Sequence, residues 1–158
     1  MPLAGENMVS SVMEVGLVYG SAPLTQASAG TVTSGTTETF DAVLGYLPVT
    51  LILGHWYRAI IDGLVGQGSV AADSYSLTIR NSQSASNPTS SSARVAYSEY
   101  YVPVAGSPGW DGAGFSFPFQ CVVGGVNTFG FSATRNSGTG TFTPAGTRAL
   151  YVVDLGGN

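Results

Sequence analysis

The chain has 158 residues, 44% of them hydrophobic and only 9% charged, with a formal net charge of −4. That length suits one domain with a core of its own, and the charge content lies far below the quarter usual in soluble domains. An acidic balance, with arginines only at Arg58, Arg80, Arg94, Arg135 and Arg148, argues against a nucleic-acid partner. The deficit is filled by glycine, serine and threonine, a composition of short strands, frequent turns and a hydroxyl-rich surface. A surface with so few charges self-associates, so much of it is expected to be covered in an assembly.

In chain order, Met1-Pro2-Leu3-Ala4-Gly5-Glu6 lacks the positive region and apolar run of a secretory signal. Asn7 can cap a short helix over residues 8–14, with Met8, Val12 and Val15 on one face. Two turns are marginal alone and need something to dock on. From there to Gly35 the residues are small and polar around Pro23, an extended arm. The division expected is an N-terminal arm with a short helix at 1–30 and a β-sandwich domain at 31–158.

Strand-like runs follow at 37–44, 49–53 and 56–65. In the third, Tyr57, Ala59 and Ile61 alternate with Trp56, Arg58 and Ile60, apolar residues on both sides that suggest a central strand. Residues 74–80 alternate cleanly, with Tyr75, Leu77 and Ile79 inward. Residues 81–92 read as an exposed, mobile loop of Ser, Asn, Thr and Pro. Strands resume at 94–102, 115–123 and 129–135, then after the turn Asn136-Ser137-Gly138-Thr139-Gly140 at 141–143 and 149–155. The most apolar stretch, 42–54, is too short to span a bilayer and contains Pro48. The fold class expected is all-β, an antiparallel, jelly-roll-like sandwich of eight or nine strands.

The search for chemistry returns little. Cys121 is the only cysteine, so no internal disulfide or thiolate cluster is available. Its phase with Phe115, Phe117 and Phe119 reads as a buried thiol. His55 is the only histidine and would have to serve any Ser-His-Asp or Cys-His scheme, yet no G-x-S-x-G elbow occurs. Asp62, Asp73, Asp111 and Asp154 sit in turn-rich text, and no spacing marks a glycosidase pair, an EF-hand, a dinucleotide fingerprint or a Walker loop. No catalytic, cofactor-binding or metal-binding set is expected. Trp110 with Tyr97, Tyr100 and Tyr101 could form a stacking platform for sugars or a partner contact. In the alternative, Tyr97 and Tyr101 face the core and Trp110 caps a sandwich end or an oligomer contact.

The block Leu51-Ile52-Leu53-Gly54-His55-Trp56-Tyr57-Arg58, followed by Ala72-Asp73-Ser74-Tyr75-Ser76-Leu77-Thr78-Ile79-Arg80, resembles a module of virion proteins of tailed phages of actinobacteria. There, a strand of the type leucine-x-alanine-glycine-arginine-x-tyrosine-arginine precedes one of the type aspartate-x-tyrosine-x-leucine-x-isoleucine-arginine. Residues 127–135, 137–140 and 150–156 are similar to that module's ending, and Ala4-Gly5-Glu6 with the short helix to the start of many phage tail and appendage proteins. His55 departs from the pattern, which has arginine there. The resemblance implies a sandwich-fold minor tail or other virion structural protein, and it carries no catalytic residues.

The resulting expectation is a non-enzymatic bacteriophage virion protein, a minor tail or tail-tip component in the first place. A capsid decoration protein is the alternative, and a host-surface glycan-binding module the second. Met8, Val12, Met13 and Val15 of the arm would join each subunit to copies of itself, as a trimer, and to other virion proteins. No membrane insertion is expected, and the place of the product is the virion.

Overall fold

Strands form wherever the two-residue period is kept, and they end where a side chain captures backbone N–H groups or a glycine reverses the chain. The computed structural model describes residues 18–20, 35–105, 108–110, 115–145 and 147–157. Among them twelve strands occur: β1 (Val18–Gly20), β2 (Thr39–Phe40), β3 (Tyr46–Leu51), β4 (Trp56–Asp62), β5 (Val65–Gly68), β6 (Ser74–Asn81), β7 (Ala93–Tyr101), β8 (Pro108–Trp110), β9 (Phe115–Gln120), β10 (Gly125–Ser137), β11 (Phe142–Ala145) and β12 (Ala149–Gly156). Every pairing among them is antiparallel. The expected short helix and its residues Met8, Val12, Met13 and Val15 lie outside the described residues.

Two sheets face one another. The first runs β1-β12-β4-β9; the second runs β2-β10-β6-β7, with β3 also paired to β10. A small third sheet, β11-β5-β8, closes the end where β10 finishes. The layout is an antiparallel, jelly-roll-like β-sandwich. Tyr57, Ala59 and Ile61 of β4 meet Tyr75, Leu77 and Ile79 of β6 and Phe129 and Phe131 of β10 in one buried cluster. Rings mark its length: Tyr57 stacks on Phe119 at 6.0 Å, and Tyr75 lies 5.3 Å from Phe142.

The differences from the sequence reading have local causes. The run at 37–44 yields only β2, because the Asp41 carboxylate accepts the N–H groups of Val43 and Leu44 and closes a turn. The run at 56–65 divides after Asp62, where Gly63 takes a positive φ of 65° and β5 leaves for the third sheet. β4 is central, between β12 and β9, but only one of its faces is buried. The arm segment itself contributes β1, which adds an edge to the first sheet. The loop at 81–92 is a chain of serine and threonine turns tied to β10, with Ser82 N–H donating to Thr128 O and the Thr128 hydroxyl donating to Ser84 O.

One ion pair joins the sheets. Arg148, just before β12, donates from Nε to Asp41 Oδ2 at 2.5 Å, with both side chains fully buried.

Candidate functional site

The two outer faces of the sandwich differ in chemistry. On the second sheet, polar side chains bond one another. The Arg80 guanidinium pairs with Glu38 at 2.8 and 3.0 Å and also donates to Ser92 O, and the Ser132 hydroxyl donates to the same carboxylate. Nearby, the Tyr97 hydroxyl donates to Glu99, and Ser76 bridges Tyr97 and Asn136. On the first sheet, the residues opposite in parity to the core are Trp56, Arg58 and Ile60 of β4 and Tyr151 and Val153 of β12, with exposed Leu155 beyond them. Arg58 and Asp62 apart, these side chains of β4 and β12 form an apolar stripe, which Ser116, Pro118 and Gln120 of β9 flank on the same face.

The apolar surface continues onto one end of the sandwich. The β3–β4 and β9–β10 turns interlock there: Gly54 N–H donates to Cys121 O at 2.9 Å and Cys121 N–H to His55 O at 2.8 Å. Gly54 holds φ at 86°, a conformation that residues with a Cβ adopt at a cost. The tips carry Ile52, Leu53, Val122 and Val123, all exposed, with Leu53 at 65% and Val122 at 63%. Trp56, 38% exposed, links this end to the apolar face. Isolated exposed apolar residues are ordinary, but a contiguous group marks an interaction surface.

Beneath these tips sits the one histidine. His55 Nδ1 lies 3.2 Å from both oxygens of the buried Asp154 carboxylate, which also accepts Gly156 N–H at 2.7 Å. The Tyr57 hydroxyl accepts Ile52 N–H at 2.9 Å, and burial, aided by the Asp154 charge, pushes its pKa up to about 12. Backbone covers the ring: a Cβ on Gly157 would meet His55 Cδ2 at 3.0 Å and Nε2 at 3.2 Å. Cys121, also buried, donates its thiol proton to Val123 O, and burial raises its pKa. The arrangement clasps the end of β12 to the β3–β4 turn. Its partners stand 99 residues apart, and no local sequence signal could have paired them.

Of the three tyrosines singled out in the sequence, Tyr100 turns to the opposite side of β7 from Tyr97 and Tyr101. Tyr100 is buried against Tyr75 and Phe142. In the β6–β7 ladder Ala96 and Tyr100 pair with the inward Ile79 and Tyr75 and turn inward with them, while Tyr97 is half-buried and Tyr101 stands 62% exposed. Neither Tyr97 nor Tyr101 faces the core, and Trp110 lies in β8, paired to β5 in the third sheet. The concavity the sequence did not announce is a groove of about 330 Å³ between the free edges of β7 and β9. It is lined by Arg94, Val95, Tyr97, Phe117 and Phe119, with Arg94 over the Tyr97 ring at 4.6 Å. Phe117 has core parity yet is 49% exposed, on an edge strand that opens onto this groove. No group of three or more His, Cys, Asp or Glu side chains able to hold a metal occurs among the described residues.

The sequence matches no protein-family model and no curated protein. Its fold is similar to part of the insecticidal delta-endotoxin Cry8Ea1 from Bacillus thuringiensis, at 13% identity over 80% of this chain, with a TM-score of 0.44. It is similar to the VP2 subviral particle of infectious bursal disease virus, at 12% identity over 89% of the chain, with a TM-score of 0.47. The chain spans only 19% and 33% of those two proteins. Against Eiger TNF from S. frugiperda it covers 91% of itself and 95% of the other chain, at 8% identity and a TM-score of 0.48. The roles of these proteins differ, and they assign none to this chain.

Proposed function

We propose that this chain is a non-enzymatic structural subunit of a bacteriophage virion that assembles through the apolar stripe of β4 and β12 on the outer face of its first sheet. The observation that carries the reading is the contrast between the two outer faces. One is finished with internal hydrogen bonds between polar side chains. The other leaves Trp56, Ile60, Val153 and Leu155 on the side away from the core, in a chain with 9% charged residues. A lone subunit in water gains nothing from that face, whereas a subunit pressed against neighbours removes it from solvent. The sequence resemblance supplies the setting: a minor tail or tail-tip component first, a capsid decoration protein second. Copy number separates the two, with hundreds per particle for decoration and tens or fewer for a tail tip.

The test is assembly. The full chain should sediment as a concentration-dependent homo-oligomer, and Leu155→Asp should shift it toward monomer without changing its circular dichroism. A chain that stays monomeric at all concentrations would overturn the proposal.

The groove between β7 and β9 favours a second reading, a module that binds surface glycan. A ring could stack on exposed Phe117 beside Arg94 and Tyr97. Binding on a glycan array that Phe117→Ser abolishes would support it, and an array without hits would remove it.

A further inference from the structure

We infer that the apolar end formed by the β3–β4 and β9–β10 turns is the receptor for the N-terminal segment, residues 7–17, of a second copy of this chain. The inference rests on the assembly reading above and names the contact that would make it specific. Three observations converge on this end.

The first is exposure. In the single chain, Ile52, Leu53, Val122 and Val123 stand in solvent on turns that their own backbone bonds hold rigidly. The second is where the segment emerges. β1 pairs with β12 so that Val18 lies opposite Val153 and Gly20 opposite Tyr151, while Gly156 lies opposite Trp56. Val18 therefore lies level with Arg58, and the strand's direction points the chain before it toward the end where Trp56 and the tips stand. When two copies bring these ends together, each delivers its segment beside the neighbour's tips. Eleven residues reach about 35 Å when extended, ample to cross such an end.

The third is chemical match. Residues 7–17 carry Met8, Val9, Val12, Met13, Val15 and Leu17 against one charge, Glu14. The receiving turns, residues 52–55 and 121–124, carry no Asp, Glu, Lys or Arg, and their histidine is already bonded to Asp154. An apolar, weakly charged segment buries against an apolar, uncharged end with little polar desolvation to offset.

The experiment uses full-length chains. Val12→Cys in one copy and Leu53→Cys in a second copy with a longer tag should give, on mild oxidation, a disulfide-linked species of mixed size. A doubly substituted chain that closes only on itself, or the absence of any mixed species, would overturn the inference. In parallel, Val12→Asp/Met13→Asp and Leu53→Ser/Val122→Ser should each raise the concentration of half-dissociation by about tenfold or more, with circular dichroism unchanged. If the oligomer persists unaffected by both pairs, the segment-to-tip contact is wrong while assembly through the sheet face stands. If no oligomer forms in the unsubstituted chain, the assembly reading itself has failed.

Discussion

Asp41→Asn isolates the charge of the buried ion pair that joins the sheets. The amide keeps the shape and an oxygen for the Val43 and Leu44 N–H groups, so the turn after β2 should survive. What is lost is the compensation for the Arg148 guanidinium, whose side chain is fully buried. Breaking a buried pair by removing one partner costs about 3–5 kcal/mol. Against a domain stability of about 5–15 kcal/mol that is a large fraction. At about 2–4 °C per kcal/mol for a chain near this size, the melting temperature should fall by about 6–20 °C. The measurement is urea and thermal unfolding followed by far-ultraviolet circular dichroism. Asp41→Asn/Arg148→Met removes both charges and should return to within about 2 kcal/mol of the unsubstituted chain, because no uncompensated charge is left in the interior. A single substitution costing less than about 1 kcal/mol, or a double one costing the sum of both singles, would refute the assignment.

Gly138→Ala should destabilise by about 2–3 kcal/mol or more, since φ is 92° and the new Cβ would fall 1.7 Å from Asp73 Oδ1. Gly45→Ala, at φ 77° with nothing within 4 Å, should cost only about 1 kcal/mol, so equal losses in denaturant titrations would rule out the Asp73 contact as the cause. Tyr57 and Tyr75 both hold pKa values near 12, mainly through burial, above the ordinary value of 10.0. The folded state therefore keeps protons that the unfolded state releases. Their contribution is full below about pH 10 and lost as pH rises toward 12, at up to about 1.4 kcal/mol per unit for each ring. Tyr57→Phe should reduce that slope by about one ring's share in urea titrations across this range, and an unchanged slope would refute the assignment.

Much of the fold is legible because burial and parity coincide. In β4 and β6 the residues Tyr57, Ala59, Ile61, Tyr75, Leu77 and Ile79 alternate inward as written, and all are fully buried. The reading weakens where parity is not the deciding force. At 94–102 the aromatic residues occupy positions 97, 100 and 101, so no single alternation satisfies them. Pairing of Ala96 and Tyr100 opposite the inward Ile79 and Tyr75 settles the matter in their favour. Phe117 shows the opposite failure, with correct parity on an edge strand that opens onto the groove beside β7.

The surfaces are harder to read than the core for a related reason. Whether an outward residue is sealed by hydrogen bonds or left apolar depends on partners far along the chain: Glu38 for Arg80, Asp154 for His55, Asp41 for Arg148, separated by 42, 99 and 107 residues. The sequence shows that Trp56, Arg58 and Ile60 share one side of β4. It does not show that β12 answers with Tyr151 and Val153 rather than with hydroxyls, because that choice is made by strand order. Once β12 is placed beside β4, the apolar side chains of two strands become one surface, and β1 pairs along its margin. Few charges in the sequence leave much surface without ionic groups; the topology decides which apolar side chains of β4 and β12 gather on one part of it.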